Sequence, residues 1–227
     1  MLVRYFDLGA HKGGEITRMR KLLAQEPLVT DYAMHAFEAH PGLARRMRLR
    51  YTFNNNIHIE QCALGSSDGE CTLFLNRNLV GSSIYSGKNN IIPGREVTVP
   101  SRKLSDYLDT ELPKDWTQDF NIIKSNIEGA EWEVWHDLLD NDLVKHFNLW
   151  LGPSEGYGAW AEDFRKIKGM EDKTELLRAS FERESVYVHR FSCFDKKIAN
   201  SDIPRILHDA LTEQAQRNTP KIAHSFG

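Results

Sequence analysis

Two groups of side chains in this chain have the types and spacing to do chemistry. The first is Asp7, Gly9, His11 and Gly13, in the order Asp7-Leu8-Gly9-Ala10-His11-Lys12-Gly13, with Glu38 following 25 residues after Gly13. Glycines in such a turn let backbone approach a ligand closely, and an acid at the end of the neighbouring strand can accept hydrogen bonds from both hydroxyls of a ribose. The second group is Glu128 and Glu131. Two acids three apart at the start of a helix can face the same side, where they could accept a proton from a nucleophile or help hold Mg²⁺ through oxygen ligands. The plainer alternative is that acids at a helix N-terminus complement its dipole.

The first turn discriminates between ligands. A dinucleotide site wants G-x-G-x-x-G, whose middle glycine admits a pyrophosphate. Here the frame is Gly9-Ala10-His11-Lys12-Gly13-Gly14, and an imidazole at the middle position would crowd that group. S-adenosyl-L-methionine has no phosphate, and its methionine and ribose can lie over a D-x-G-x-x-x-G turn. Ala63-Leu64-Gly65-Ser66-Ser67-Asp68-Gly69 supplies small residues at a third strand's carboxyl end, against which adenine could lie.

The elements that must position these residues read as alternating strands and helices. Strands are expected at Val3–Leu8, Tyr32–Phe37, Ile57–Cys62, Glu70–Leu75, Glu96–Val99, Phe120–Ile127, Asn148–Pro153 and Glu184–Cys193. Helices are expected over Glu15–Gln25, with Ile16, Met19, Leu22 and Leu23 as its apolar stripe, and over Gly42–Tyr51, Leu104–Leu112, Glu128–Asp140, Ala161–Arg183 and Ile203–Gln216. This alternation implies a doubly wound α/β sheet whose last strand is antiparallel. The polar, glycine-bearing stretch Asn76–Asn90 reads as a lid facing the substrate, with Ile84, Tyr85, Ile91 and Ile92 to pack it down.

Length and composition narrow the classes. A chain of 227 residues without a linker or repeat reads as one domain, 1–227. Its 29 basic and 32 acidic residues balance to −3, which argues against nucleic acid or an anionic membrane as partner. The basic helix Gly42–Tyr51, with Arg45, Arg46, Arg48 and Arg50, then reads as a solvated face. No apolar run is long enough to span a bilayer, no signal peptide is evident, and Cys62, Cys71 and Cys193 lack ligand or disulfide spacing. The expectation is a cytoplasmic protein of unspecified oligomeric state.

Four stretches, FDLGAHKGG, FEAHPG, CALGSSDGE and IIKSNIEGAEWEV, occur in the order and spacing of a known family. The chain resembles the FkbM-type methyltransferases, over roughly residues 3–140. The resemblance implies a Rossmann-like class I methyltransferase fold: a mostly parallel seven-stranded sheet, helices on both faces and a small β-excursion. It implies S-adenosyl-L-methionine as cofactor, bordered by Asp7, Gly9, Ala10, His11 and Gly13, with Glu38 at the ribose and Ala63 and Leu64 near adenine. It places Glu128, Glu131, Asn126 and His11 towards the transferred methyl, a divalent metal being possible without a dedicated cage. The acceptor it implies is a hydroxyl of a sugar, glycan or related small molecule. One departure is Asn126, which stands where the family signature has an acid and cannot act as a base. A domain that binds cofactor or a partner without turnover is therefore the alternative, and a nicotinamide oxidoreductase is disfavoured by His11.

Overall fold

The computed structural model describes residues 1–153, 179, 188–191 and 196–218. Its central strand is β1 (Leu2–Leu8), and every residue after Leu2 in it is buried. A strand covered on both faces cannot keep a polar side. Val3 and Tyr5 pack into one core while Phe6 and Leu8 pack into the other, as the two-residue period requires.

The chain then runs α1 (Gly14–Gln25), β2 (Asp31–Phe37), α2 (Pro41–Arg50) and β3 (Ile57–Glu60). It leaves the main sheet for β4 (Ala63–Leu64), β5 (Gly69–Phe74) and β6 (Glu96–Arg102), and returns through α3 (Leu104–Glu111), β7 (Phe120–Ser125), α4 (Glu131–Asp140) and β8 (Leu149–Pro153). β9 (Val188–Phe191) and α5 (Lys196–Asn218) complete the described elements. The main sheet has the order β3-β2-β1-β7-β8-β9, so the crossover point lies between β1 and β7, where ligands gather in open α/β sheets.

Ile16, Met19 and Leu23 of α1, Ala44 and Met47 of α2, and Ile203, Ile206, Leu207 and Leu211 of α5 cover one face. Leu104, Tyr107 and Leu108 of α3 with Val134, Trp135 and Leu138 of α4 cover the other. The architecture is thus the expected α/β fold with helices on both faces. Two features differ. The main sheet shows six strands among the described residues where seven were expected, and β9 pairs with β8 in parallel, not antiparallel. Residues 154–187 between them are ample for the crossover a parallel pair requires. The β-excursion is a separate three-stranded sheet, β4-β6-β5, with β4–β6 parallel and β5–β6 antiparallel. α5 begins seven residues before the expected Ile203 and runs through Pro204. Of the helix expected over Ala161–Arg183 only Ala179 is among the described residues, and of the strand expected over Glu184–Cys193 only Val188–Phe191.

Candidate functional site

At the end of β1 the backbone turns at Gly9, with φ 81°, and a Cβ there would stand 2.2 Å from the Asn126 carbonyl oxygen. Only glycine can hold that bend so close to the neighbouring strand's exit. The amides of Gly9 and Ala10 both donate to the Phe37 carbonyl, at 3.0 and 2.9 Å. His11 also takes a left-handed conformation, φ 51°, and Gly13 takes another, φ 73°, as the residue before α1. The Tyr51 hydroxyl donates to the Gly13 carbonyl at 2.9 Å. Asp7 lies behind this turn, fully buried, with its Oδ1 2.8 Å from the Lys124 ammonium, which also donates to the Gly9 carbonyl at 3.2 Å. The Asp7–Lys124 pair therefore clasps the turn from below.

Glu38 follows β2 and reaches across to the first turn. One carboxylate oxygen accepts from the His11 amide at 2.7 Å, the other from the His40 amide at 2.8 Å. Burial pushes its carboxyl up to about 7, although both amide bonds favour the charged form. His11, whose φ this contact helps hold, has a buried Nε2 with no hydrogen-bond partner. Burial, then the nearby Lys12, Lys124 and His40, lowers its pKa, so the imidazole is neutral at neutral pH.

The turn after β7 is built in a similar way. Asn126 donates its amide to the Leu8 carbonyl at 3.0 Å, Glu128 is left-handed with φ 57°, and Gly129 follows with φ 109°. Glu131, 2% exposed, folds back so that its two oxygens accept from the amides of Ile127 and Gly129, at 2.7 and 2.8 Å. Burial pushes its carboxyl up to about 7 as well. α4 starts at Glu131 and not at Glu128. The helical spacing that would set the two carboxylates on one face does not apply across a left-handed residue.

A loop from the second sheet roofs this turn. The Lys88 ammonium lies 2.7 Å from a Glu128 carboxylate oxygen and donates to the Gly81 carbonyl at 2.9 Å, with its side chain only 1% exposed. The Ser83 hydroxyl donates to the Glu128 carbonyl at 2.7 Å, and the Tyr85 hydroxyl bonds the Glu133 carboxylate. Leu79, in the same loop, is left-handed too, with φ 67°.

These pieces enclose a cavity of about 300 Å³. Gly9, Ala10 and His11 form one wall, Glu38 and Ala63 with Leu64 the next, Asn126 and Glu128 the far side, and Leu79 to Ile84 the roof. Eight of the candidate residues thus meet around one space. Asp7, Gly13 and Glu131 stand outside that lining and act on it through Lys124, α1 and the turn backbone. Among the described residues, three of the four non-glycine residues with positive φ, His11, Leu79 and Glu128, line the cavity, a concentration typical of functional sites. Among the described residues no three His, Cys, Asp or Glu side chains converge as metal ligands. The sequence alone did not mark Lys88, Ser83 or Lys124 as site residues; Lys124 lies within IIKSNIEGAEWEV, and Lys88 and Ser83 lie within the stretch read as a lid.

Residues 7–172 match the family model Methyltransferase FkbM domain, a span that holds both turns, Glu38 and the roof. No curated protein and no solved structure matches the chain significantly.

Proposed function

The chain belongs to the FkbM methyltransferase family, and from that membership we propose that it transfers the methyl group of S-adenosyl-L-methionine to a hydroxyl oxygen of a sugar, glycan or related small molecule. The observation that carries this reading is that Glu38, at the ribose-side strand end, and Glu128, beyond the crossover point, line the same cavity. Its volume sits at the small end of ligand sites.

The residues present suit the cofactor. Gly9 offers bare backbone, Ala39 and Ala63 leave room for a flat base, and the His11 Nε2 is a buried polar atom awaiting a partner. Each Glu38 oxygen takes one amide and keeps a second acceptor direction for a ribose hydroxyl. When bound, S-adenosyl-L-methionine supplies an electrophilic methyl on a sulfonium. The protein's part is to align the acceptor in line with that methyl and to remove its proton. Glu128 accepts the hydrogen bond of the acceptor hydroxyl and takes its proton as the new oxygen–carbon bond forms. Lys88 and the Ser83 hydroxyl hold Glu128 in place, and the Asn126 amide can hydrogen-bond the acceptor without competing for the proton. Glu131 keeps the turn in shape. The free thiols Cys62 and Cys71 accord with a reducing, cytoplasmic setting.

Calorimetry with S-adenosylhomocysteine, with NAD as control, tests the cofactor. Methyl incorporation into a panel of hydroxylated acceptors then tests the reaction. Glu128→Gln should keep S-adenosylhomocysteine affinity while lowering turnover by about 100-fold or more, and an unchanged turnover removes Glu128 from the role. A second reading, a cofactor-binding module without turnover, draws on Asn126 and on the Lys88 ion pair that already engages Glu128. Tight S-adenosylhomocysteine binding with no acceptor methylated across the panel favours it.

A further inference from the structure

The whole-chain charge balance conceals a segregation in one segment. Between Glu38 and Glu60 the sequence contains no acidic residue, while Arg45, Arg46, Arg48 and Arg50 crowd into α2. All four are exposed, and none makes an ion pair among the described residues. Five other arginines do find carboxylates: Arg4, Arg18, Arg102, Arg205 and Arg217. Arg48 and Arg50 complement the helix C-terminus, but Arg45 and Arg46 lie too far from it for that explanation.

The same segment carries the two exposed large hydrophobic side chains of the described residues, Leu49 at 69% and Phe53 at 96%. Four residues apart, they belong to the same arginine-bearing segment, Leu49 in α2 and Phe53 just past its end. A solvated basic face accounts for the arginines but not for a phenylalanine left almost wholly in water.

We propose that the outer face of α2, with Phe53, docks on an anionic lipid surface, Arg45 and Arg46 meeting headgroup phosphates while Leu49 and Phe53 enter the interfacial zone; Arg48 and Arg50, which donate to the carbonyls of Ile59 and Lys12, add positive charge beside them. Basic residues around protruding apolar tips match the interfacial environment, where cations gain from the anionic surface and aromatic groups from the acyl boundary. A protein partner fits less well, because the core of a protein interface is depleted of charge and two apolar side chains amid four arginines make no such core. The face is tied to the cavity: Arg50 donates to the carbonyl of Lys12, which lines it. Docking by α2 would bring that rim towards the lipid. The inference does not depend on the chemistry of the cavity.

The test is co-sedimentation of the full chain with phosphatidylcholine vesicles, with and without phosphatidylglycerol. Binding only to the phosphatidylglycerol vesicles, released by added salt, is the expected result. Each arginine near such a surface is worth about fivefold in partitioning, so Arg45→Glu/Arg46→Glu should lower it by at least about 25-fold. Phe53→Ser should lower it several-fold without altering the salt dependence. No binding of the unaltered protein, equal binding to neutral vesicles, or undiminished binding by the Arg45→Glu/Arg46→Glu variant each overturns the proposal. Retention on heparin without vesicle binding overturns it in favour of a soluble polyanion.

Discussion

Glu38 and Glu131 each receive two backbone amides at the edge of a left-handed turn, one after β1 and the other after β7. Each supports a non-glycine residue at positive φ, His11 in one case and Glu128 in the other. Burial pushes both carboxyls up to about 7. They differ in reach. Glu131 bonds amides two and four residues before it and is sealed from the cavity, whereas Glu38 joins its own strand end to a turn 27 residues earlier and lines the cavity. The same side chain, in the same chemical bind, is a turn brace in one place and a cavity-facing brace in the other. Access to the cavity, not perturbation of the carboxyl, tells them apart.

The largest effect belongs to the sealed member. Glu131→Ala strands two buried amides at about 2 kcal/mol each, so the midpoint of thermal unfolding should fall by roughly 10 °C, with Glu131→Gln recovering part of the loss. Next comes Glu38→Ala, which should weaken S-adenosylhomocysteine binding about 100-fold in calorimetry, the worth of two hydrogen bonds to a charged acceptor. Its melting midpoint without ligand should fall by less than half as much as for Glu131→Ala, because water in the cavity can reach the freed amides. Equal melting losses together with unimpaired binding by Glu38→Ala would break the contrast.

A pH series sharpens it further. Both carboxyls hold their protons more tightly in the folded chain than in the unfolded one, so their contribution to stability is fullest in acid and is lost as pH rises through about 7. Ribose hydroxyls donate to the charged form of Glu38, and S-adenosylhomocysteine affinity should therefore rise as pH climbs through 7, by up to about tenfold between pH 6 and 8. Melting curves with and without S-adenosylhomocysteine across that range should separate the Glu38 share, which ligand recovers, from the Glu131 share, which it does not. The most local effect is expected at the roof. Lys88→Met should cost about 2 kcal/mol, discounted from a fully buried pair because Glu128 keeps 17% side-chain exposure. It should also speed amide exchange across 76–95 while leaving the Glu131 turn protected.

The sequence made much of this frame legible, for physical reasons. β1 and α1 announce themselves by a β-prone run interrupted only by Arg4 and Asp7 and by a 3.6-residue stripe, and the turn between them by Gly9 and Gly13. Glu38 was legible because its spacing from Gly13 and its place at a strand end converge. The pairing of Glu128 with Glu131 misled, since it assumed that the helix had already begun. Gly129 was the local sign of a break, and positive φ at Glu128 moved the helix start to Glu131. The direction of β9 was hidden because alternation marks a strand without saying which way it runs. The partners of Lys88 and Tyr85 were hidden because Glu128 and Glu133 are 40 and 48 residues away.

The small sheet β4-β6-β5 shares no ladder with the main one, yet it carries the roof of the cavity. Floor and ceiling therefore belong to separate sheets that meet through Lys88 and Ser83 at the Glu128 turn. Grafting the segment from Gly65 to Arg102 between relatives should exchange the preferred acceptor while the grip on the nucleoside passes through unaltered.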